Sequence, residues 1–577
     1  MATIFHSVYL PSKKFTLLNI YKYNMKHIYK KGIIGLLLFI SITAQAQWVK
    51  VDYDSKTKKR VFVDRKGKKI PLQKLQQFEE LIIHYERGVI LPESIGQLKG
   101  LKRLDLDNCK NLRLPNEIEQ LTQLRELSLR NCNLARVPSV IGKLKSLRSL
   151  NFAGNKLKKF PMVVLSLPNL ERLSLSGNRY ITVIPPEIRT LKKLKELGLS
   201  WINCSHLPKE IGSLTQLETL YLANPLRELP TEFANLQNLK KLWLNGNSMK
   251  SIPSVIFKLK KLEHLNLNLN DLKVIPPEIG QLTALRVLEF RRNKITRIPY
   301  EMRSLTNLEV LDLQSNDIDY LPSWVGRWTN LQELNLKYNE IETVPMAFEN
   351  LKKLEKILFG YNRLKSASFY LFASKYLQRV DLSHNQIKEI SLPISNPLLN
   401  LTSLDLSHNQ LKQITPEIGR LQSIRYLRLY SNQLKEVPTE IEFLTKLRVL
   451  DLGNNQLKAL PFKVSKLRYL EYLKLTYNQL EKFPEGTTDL RFLKELHLTG
   501  NRIQKIPQEI SKLKQLRELF ISKNQLKKVP SELGHLYINQ LKLADNQLTS
   551  LPKSLYRRSF LNGIDLSRNK FSPKQLK

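Results

Sequence analysis

This 577-residue sequence predicts an α/β solenoid of stacked coils, and three observations predict it. One unit of 23 residues recurs along nearly the whole chain, and self-similarity at a fixed period decides an architecture before any local reading does. Each unit carries a short stretch with apolar residues at period two, the pattern of a half-buried strand. Each then runs into a Pro-led segment with the spacing of a helical turn.

The unit reads L-x-x-L-x-L-x-x-N-x-L-x-x-I-P-x-x-I-x-x-L. One copy is Leu447, Leu450, Leu452, Asn455, Leu457, Leu460 and Pro461, and the next begins at Leu470, Leu473, Leu475 and Asn478. The opening apolar residue recurs from Leu101, Leu124 and Leu147 to Leu561, giving 21 units, and 16 of the 20 intervals are 23 residues. A weaker copy, Phe78, Leu81 and Ile83, precedes the first. A single x-L-x-L-x strand cannot bury its apolar face alone, so successive coils lay their strands side by side in a parallel sheet. At a spacing of ~4.7–4.9 Å, the strand edge runs to about 100 Å.

The position three residues beyond the second strand leucine is Asn in 17 of the 21 units, as at Asn155, Asn247, Asn339, Asn409 and Asn524. A side-chain amide offers acceptor and donors together and can satisfy backbone groups where the chain turns. Stacked, these residues form an Asn ladder inside the solenoid. In Pro277-Glu278-Ile279, Pro416-Glu417-Ile418 and Pro507-Gln508-Glu509-Ile510, Pro fixes φ at the start of a turn and Glu sits where a helix N-terminus favours negative charge. Short helical or 3-10 segments on the convex side follow.

On these motifs the chain resembles a leucine-rich-repeat protein. The 23-residue I-P-x-x-I spacing is similar to the subtype of Ras-pathway scaffolds, of plant intracellular Ras-group-related relatives and of their bacterial counterparts. The resemblance covers about Leu72 to Phe571. It implies a horseshoe with a parallel concave sheet that binds another macromolecule, usually a protein.

The N-terminus reads as an export signal. Met25 to Lys31 is a basic n-region, Gly32 to Thr43 an apolar run, and Ala44-Gln45-Ala46 a small-x-small cleavage site. The apolar run is too short to span a membrane. Met25 is the expected true start and Gln47 the mature first residue, which puts the protein in the periplasm or outside the cell, with no transmembrane segment in the mature chain. The alternative for this run is a short buried helix at the solenoid entrance. Residues 47–71 follow as a β-hairpin cap, with Val49–Tyr53 and Arg60–Asp64 around a polar turn, and 72–577 as the solenoid of about 21–22 repeats.

The formal net charge is +42; removing residues 1–46 takes six lysines and no acid and leaves +36. Such an excess attracts polyanions in a salt-dependent way. Part of it falls just past the ladder Asn, at Lys365, Lys388, Lys412, Lys435, Lys458, Lys482, Lys505 and Lys527. Stacking turns these into one basic stripe. It reads either as a solvated face that keeps a long solenoid soluble or as a rail for an anionic glycan, a lipid headgroup or an acidic protein. The export signal disfavours nucleic acid.

Two aromatic groups are candidate partner-binding residues. Trp201, Tyr221 and Trp243 lie on three successive coils where the repeat is irregular, with Ile202 and then Pro225 in the ladder position. Tyr338, Tyr361, His384 and His408 each precede a ladder Asn on four consecutive coils, near Asp312, Asp381 and Asp405. Exposed aromatics on a rigid surface are typical anchors; packing irregularity and ordinary strand filler are the competing readings. The His and Asp pairs are repeat variants, and no metal, cofactor or catalytic residue is expected. No phosphate loop, His-Glu-x-x-His or Gly-x-Ser-x-Gly motif is present, so the protein reads as a non-enzyme.

Two further expectations are local. Cys109 and Cys132 occupy consecutive ladder positions as buried thiols, with a disulfide between them as the alternative, and Cys204 fills a core position. The unit Lys365–Tyr376 lacks its Pro, which predicts a longer convex helix followed by a loop. The cleavage reading carries its own check: intact mass of protein recovered from the producing cell's envelope should begin at Gln47, and retention of residues 1–46 would sink it.

Overall fold

The structure, a computed structural model, describes residues 38–40, 47–54, 59–64, 68–83, 89–394, 398–556 and 563–572. The chain divides into two compact units, Met1–Asn151 and Phe152–Lys577.

In the first unit, strands Gln47–Asp54 and Lys59–Asp64 pair antiparallel, with Val51 opposite Phe62 and Tyr53 opposite Arg60. The first coil strand, Glu80–Ile83, pairs in parallel with Arg103–Asp105, which pairs with Glu126–Ser128 and through it with Ser149–Asn151. The hairpin reaches that coil indirectly: Leu38–Ile40 pairs antiparallel with both Gln47–Val49 and Ile82–Ile83. The rest of the expected export signal, 1–37 and 41–46, lies outside the described residues.

The second unit repeats one coil from Arg172–Ser174 to Ile564–Asp565, each three-residue strand pairing in parallel and in register with the next. The strand Val449–Asp451 shows the logic. Leu450 and the following Leu452 are fully buried, while Val449 and Asp451 face outward. Period two places alternate residues on opposite faces, so half of each strand is core and half is display.

The return path of the coil is a 3-10 turn of three to five residues in almost every repeat. In Pro277–Gln281, Pro276 is the extended residue before the turn, Ile279 N–H donates to Pro276 O at 3.1 Å, and Leu282 N–H to Ile279 O at 3.1 Å. Ile279 and Leu282 point inward and are fully buried. The turn after Ile279 also needs Gly280, because a Cβ there would meet Glu301 O of the next coil at 2.6 Å. Trp328 replaces the usual leucine at the end of one turn; it is fully buried, and its indole N–H donates to Met302 O at 2.9 Å. The Pro-less unit does not form a longer helix. Ser366–Ala367 instead pairs with Glu389–Ile390 in a separate two-stranded parallel sheet, and a four-residue 3-10 turn, Phe369–Phe372, follows. Backbone pairing between neighbouring coils takes over where Pro would have started the turn.

The Asn ladder holds the coils together. Asn432 Nδ2 donates to Leu429 O of its own coil at 3.1 Å and to Leu406 O of the preceding coil at 3.0 Å. Its Oδ1 accepts the Leu411 N–H at 3.0 Å. The same three bonds recur at Asn339, Asn385, Asn455 and Asn524. One expected rung is misplaced in the sequence reading: Asn224, not Pro225, fills the ladder after Ile202. Asn224 is buried, accepts the Ile202 N–H at 3.0 Å and donates to Leu199 O at 2.8 Å. That coil reaches its ladder residue two positions after Leu222 instead of three, which shortens the unit.

Cys109 and Cys132 are buried free thiols whose Sγ atoms point at Ile83 O and Leu106 O, at 3.4 and 3.0 Å. They hold the carbonyl that an Asn amide would hold. Burial pushes the Cys132 thiol up to about 12, so it is inert as a nucleophile. Cys204 is a fully buried free thiol as well.

Asn432→Leu should therefore lower stability by several kcal/mol, at about 1–3 kcal/mol for each backbone group left without a partner. Hydrogen exchange should accelerate at the Leu411 amide, which loses its acceptor, and stay unchanged at the Ile341 amide, whose acceptor is Asn362. Equal protection of both amides would contradict the ladder's role.

Candidate functional site

In the second unit every coil but one, the shortened coil of Ala223, leaves its strand through a residue just before the ladder position, and that residue has a left-handed backbone. It is Trp201, Leu269, Arg292, Ser315, Tyr338, Tyr361, His384, His408, Ser431, Asn454, Tyr477, Lys523, Asp545 and Arg568, with φ between 51° and 60°, or Gly at 154, 177, 246 and 500. A non-glycine side chain there costs roughly 1–2 kcal/mol. The conformation persists because the backbone is tied on both sides of the turn. Tyr361 N–H donates to Ser383 O at 2.8 Å, His384 N–H to Ser407 O at 2.8 Å, and His408 N–H to Tyr430 O at 2.7 Å.

These bonds set successive side chains one coil apart and aim them the same way. Tyr338 and Tyr361 stack with ring centroids 4.2 Å apart, Tyr361 and His384 at 3.9 Å, and His384 and His408 at 3.9 Å, all within 16° of parallel. The Tyr430 ring, which the sequence reading does not include, closes the row edge-on against His408 at 5.2 Å. Stacked pairs are worth about 0.5–1.5 kcal/mol beyond area burial, so the four-ring column is a rigid feature. Tyr338 and Tyr361 remain exposed, at 46% and 39%.

Alongside runs the third strand position, where Asp381 and Asp405 are register partners. Although burial raises the Asp381 pKa, contacts from the Lys337 ammonium and the Ser383 hydroxyl and N–H hold it below the usual carboxylate range. Burial, followed by the neighbouring His408, pushes the His384 imidazole below its ordinary value. The column is therefore an aromatic surface whose His384 ring gives up its proton more readily than a free imidazole, bordered by Asp381 and Asp405.

The other aromatic group is not one cluster. Tyr221 and Trp243 occupy the third strand position and stack at 4.4 Å, whereas Trp201, 56% exposed, stands in the left-handed column. The shortened coil has no left-handed residue: Ala223, immediately before Asn224, is buried, and the Trp201 N–H donates to its carbonyl at 2.7 Å. Tyr221 and Trp243 are joined instead by His264, 4.6 Å from the Trp243 ring. The His264 Nε2 lies 3.1 Å from Glu289 Oε2, which also accepts from Asn266 Nδ2. His264 and Glu289 were legible only by writing the units one under another, since neither breaks the consensus.

All eight lysines of the basic stripe are exposed. Lys365 pairs with Glu342 at 2.6 Å, and the Lys388 N–H donates to Lys365 O at 3.1 Å, which puts those two on adjacent coils. Among the described residues the other seven lysines form no ion pair.

The family comparisons agree with this geometry. Models described as leucine-rich repeat region match residues 116–222, 185–290 and 267–371, leucine rich repeat matches 422–480, 445–503 and 491–548, and leucine rich repeats (2 copies) matches 377–418. No curated protein sequence matches. Among solved structures, the plant peptide hormone receptor RGFR1 in complex with RGF2 is 28% identical over 90% of this chain and 95% of its own, with TM-score 0.63. The Arabidopsis receptor kinase HAESA, in complex with the peptide hormone IDA and the co-receptor SERK1, is 29% identical over 79% of this chain and 80% of its own, TM-score 0.63. The ectodomain of the Arabidopsis receptor kinase GASSHO1/SCHENGEN3, in complex with CASPARIAN STRIP INTEGRITY FACTOR 2, is 28% identical over 88% and 70%, TM-score 0.55. No helix among the described residues is long and apolar enough to cross a membrane.

Asp312 offers a test of the acidic strand position. Burial raises its pKa to about 6, against the ordinary 3.8, and Gln314 N–H only partly offsets this. A carboxyl raised in the folded state binds its proton more tightly than in the unfolded chain, so stability falls as pH rises from about 4 to about 6. Asp312→Asn should remove that loss, stabilising the protein by about 1–3 kcal/mol at pH 7 and by little at pH 4. Thermal unfolding at the two pH values checks it.

Proposed function

Because the chain belongs to the leucine-rich-repeat proteins, whose fold is a binding scaffold, we propose that it binds a protein or peptide through its strand face and performs no chemistry. The observation that carries this reading is the rigid Tyr338–Tyr361–His384–His408 column. Aromatic rings held in place before binding lose little freedom on complex formation, the condition under which anchors are strongest. Trp243 with Tyr221 is a second anchor on the same face. The peptide ligands in the RGFR1 and HAESA structures support the choice of a protein or peptide over a small molecule.

The finer parts of the reading rest on sequence. The basic n-region, apolar run and Ala44-Gln45-Ala46 support export to the periplasm or the exterior, and the I-P-x-x-I spacing supports a subtype like the Ras-pathway scaffolds. A second reading, an adhesin-like binder of anionic envelope glycans or other polyanions, is favoured by the seven exposed lysines that carry no ion pair among the described residues. The neighbours' named ligands lend it no support.

Capture of partners from envelope extracts separates the two. Trp243→Ala or Tyr361→Ala should weaken capture by about 2 kcal/mol or more, the range of interface hot spots. The loss should persist from about 0.15 M to about 1 M salt, where screening shrinks from ~8 to ~3 Å. Charge reversal at Lys412, Lys435 and Lys458 should have a smaller, salt-sensitive effect. If reversal eliminates capture while the aromatic changes do nothing, the polyanion reading replaces the scaffold one.

A further inference from the structure

Near the C-terminal end of the second unit, three ligating side chains converge on the strand face. Glu495 and His497 are the first and third residues of strand Glu495–His497, so both point outward, and Glu518 opens the next strand. Glu495 and Glu518 are register partners. One ligand atom from each of the three lies within 4.8 Å of the others.

The charge pattern sets this place apart. Along the first strand position, acids face cations or neutral residues: Glu333 pairs with Lys356 at 2.7 Å, Glu196 faces Arg172 and Thr219, and Glu495 faces Tyr472 on its other side. Among the described strands, only Glu495 and Glu518 set two acids side by side in this column, an arrangement that costs energy when nothing lies between them. Acids adjacent in the third position have partners as well, Asp381 in the Lys337 ammonium and Glu289 in the His264 and Asn266 side chains, and Glu495 has the matching contact with His497. The Glu518 carboxylate has no hydrogen bond or ion pair among the described residues, and its other register neighbour is the neutral Gln540. Lys474, in register with His497, pairs with neither acid.

His497 is poised between them. Its Nε2 lies 3.1 Å from Glu495 Oε2, within the ~3.0–3.4 Å that separates two ligands about 2.1 Å from one ion at octahedral or tetrahedral angles. Its ring stacks on Phe520 at 4.4 Å, which fixes the direction of the nitrogen. The His497 and Glu495 side chains are 21% and 27% exposed, so the site opens to solvent.

We propose that Glu495, His497 and Glu518 form a divalent transition-metal site on the strand face, with its remaining coordination positions open. A mixed set of one imidazole and two carboxylates suits Zn²⁺ or Mn²⁺ better than Ca²⁺, which takes oxygen ligands alone, or Cu(I), which prefers sulfur. The ion neutralises the facing acids and needs only side-chain rotation, because Glu495 and Glu518 are already register partners and His497 lies two residues along on the same face. This inference is independent of the partner-binding reading.

The test is calorimetric titration of the chelator-treated full chain with Zn²⁺. Uptake of one ion per chain is expected, with Glu518→Gln and His497→Ala each weakening affinity by roughly tenfold or more. The His384→Ala/His408→Ala double variant should bind like wild type. Without metal, Glu518→Gln should unfold at or above the wild-type temperature, since it removes a like-charge pair; should His497→Ala fail to fold, Glu518→Gln decides alone. Absence of one-ion uptake, unchanged affinity in Glu518→Gln, or loss confined to the His384/His408 variant would overturn the assignment.

Discussion

The buried amide at the end of each strand is the interaction on which the rest depends. A coil that turns sharply inside a packed core strands one carbonyl on each of two neighbouring coils and one N–H on the coil before, and water cannot reach them. One Asn side chain meets all three, as at Asn432 and Asn455. Unmet, such groups would cost more than any single leucine contact contributes. Met, they fix the spacing between coils, and the strand pairing, the left-handed exit residue and the stacked rings all inherit that spacing. The two thiol rungs show what is dispensable: Cys109 and Cys132 retain a bond to the preceding coil's carbonyl and give up the amide's reach.

Leucine-rich-repeat architecture follows from this arithmetic of satisfied groups, which explains why the fold was so legible. Period-two leucines, a repeated Asn and a Pro-led turn each state a local requirement, and all three recur often enough to be read without a structure. Reading failed where a local requirement was met by unexpected means. Counting fixed offsets placed Pro225 in the ladder, whereas a one-residue deletion had brought Asn224 there. Absence of Pro in the Lys365–Tyr376 unit suggested a longer helix, yet pairing between Ser366–Ala367 and Glu389–Ile390 supplied the missing order.

The candidate site was half legible. Four rings at one repeat position on four consecutive coils must form a column, and they do. Trp201 stands seven residues after the opening Leu194, whereas Tyr221 and Trp243 stand four after Leu217 and Leu239, so the offset within the unit, and not the succession of coils, separates them. His264, Glu289, Glu495, His497 and Glu518 passed unnoticed for a different reason: each is an ordinary residue at a variable position, and only register across strands shows what it faces. Pairing between neighbours is the information a one-dimensional pattern lacks.

The left-handed exit residue gives the surface an unusual freedom to change. Its backbone is imposed by the ladder beneath it, so the strain is incurred whichever non-glycine side chain is present, and Trp, Tyr, His, Arg, Ser, Leu, Lys, Asp and Asn all occur there. Substitution alters what the column displays while leaving the platform beneath it intact. The column behaves like a line of movable type with fixed letter spacing. Ala223 is a blank in that line. A recognition motif spelled along it cannot run through the shortened coil, so Trp201 on one side and the Tyr338–His408 stack on the other are free to drift as separate words.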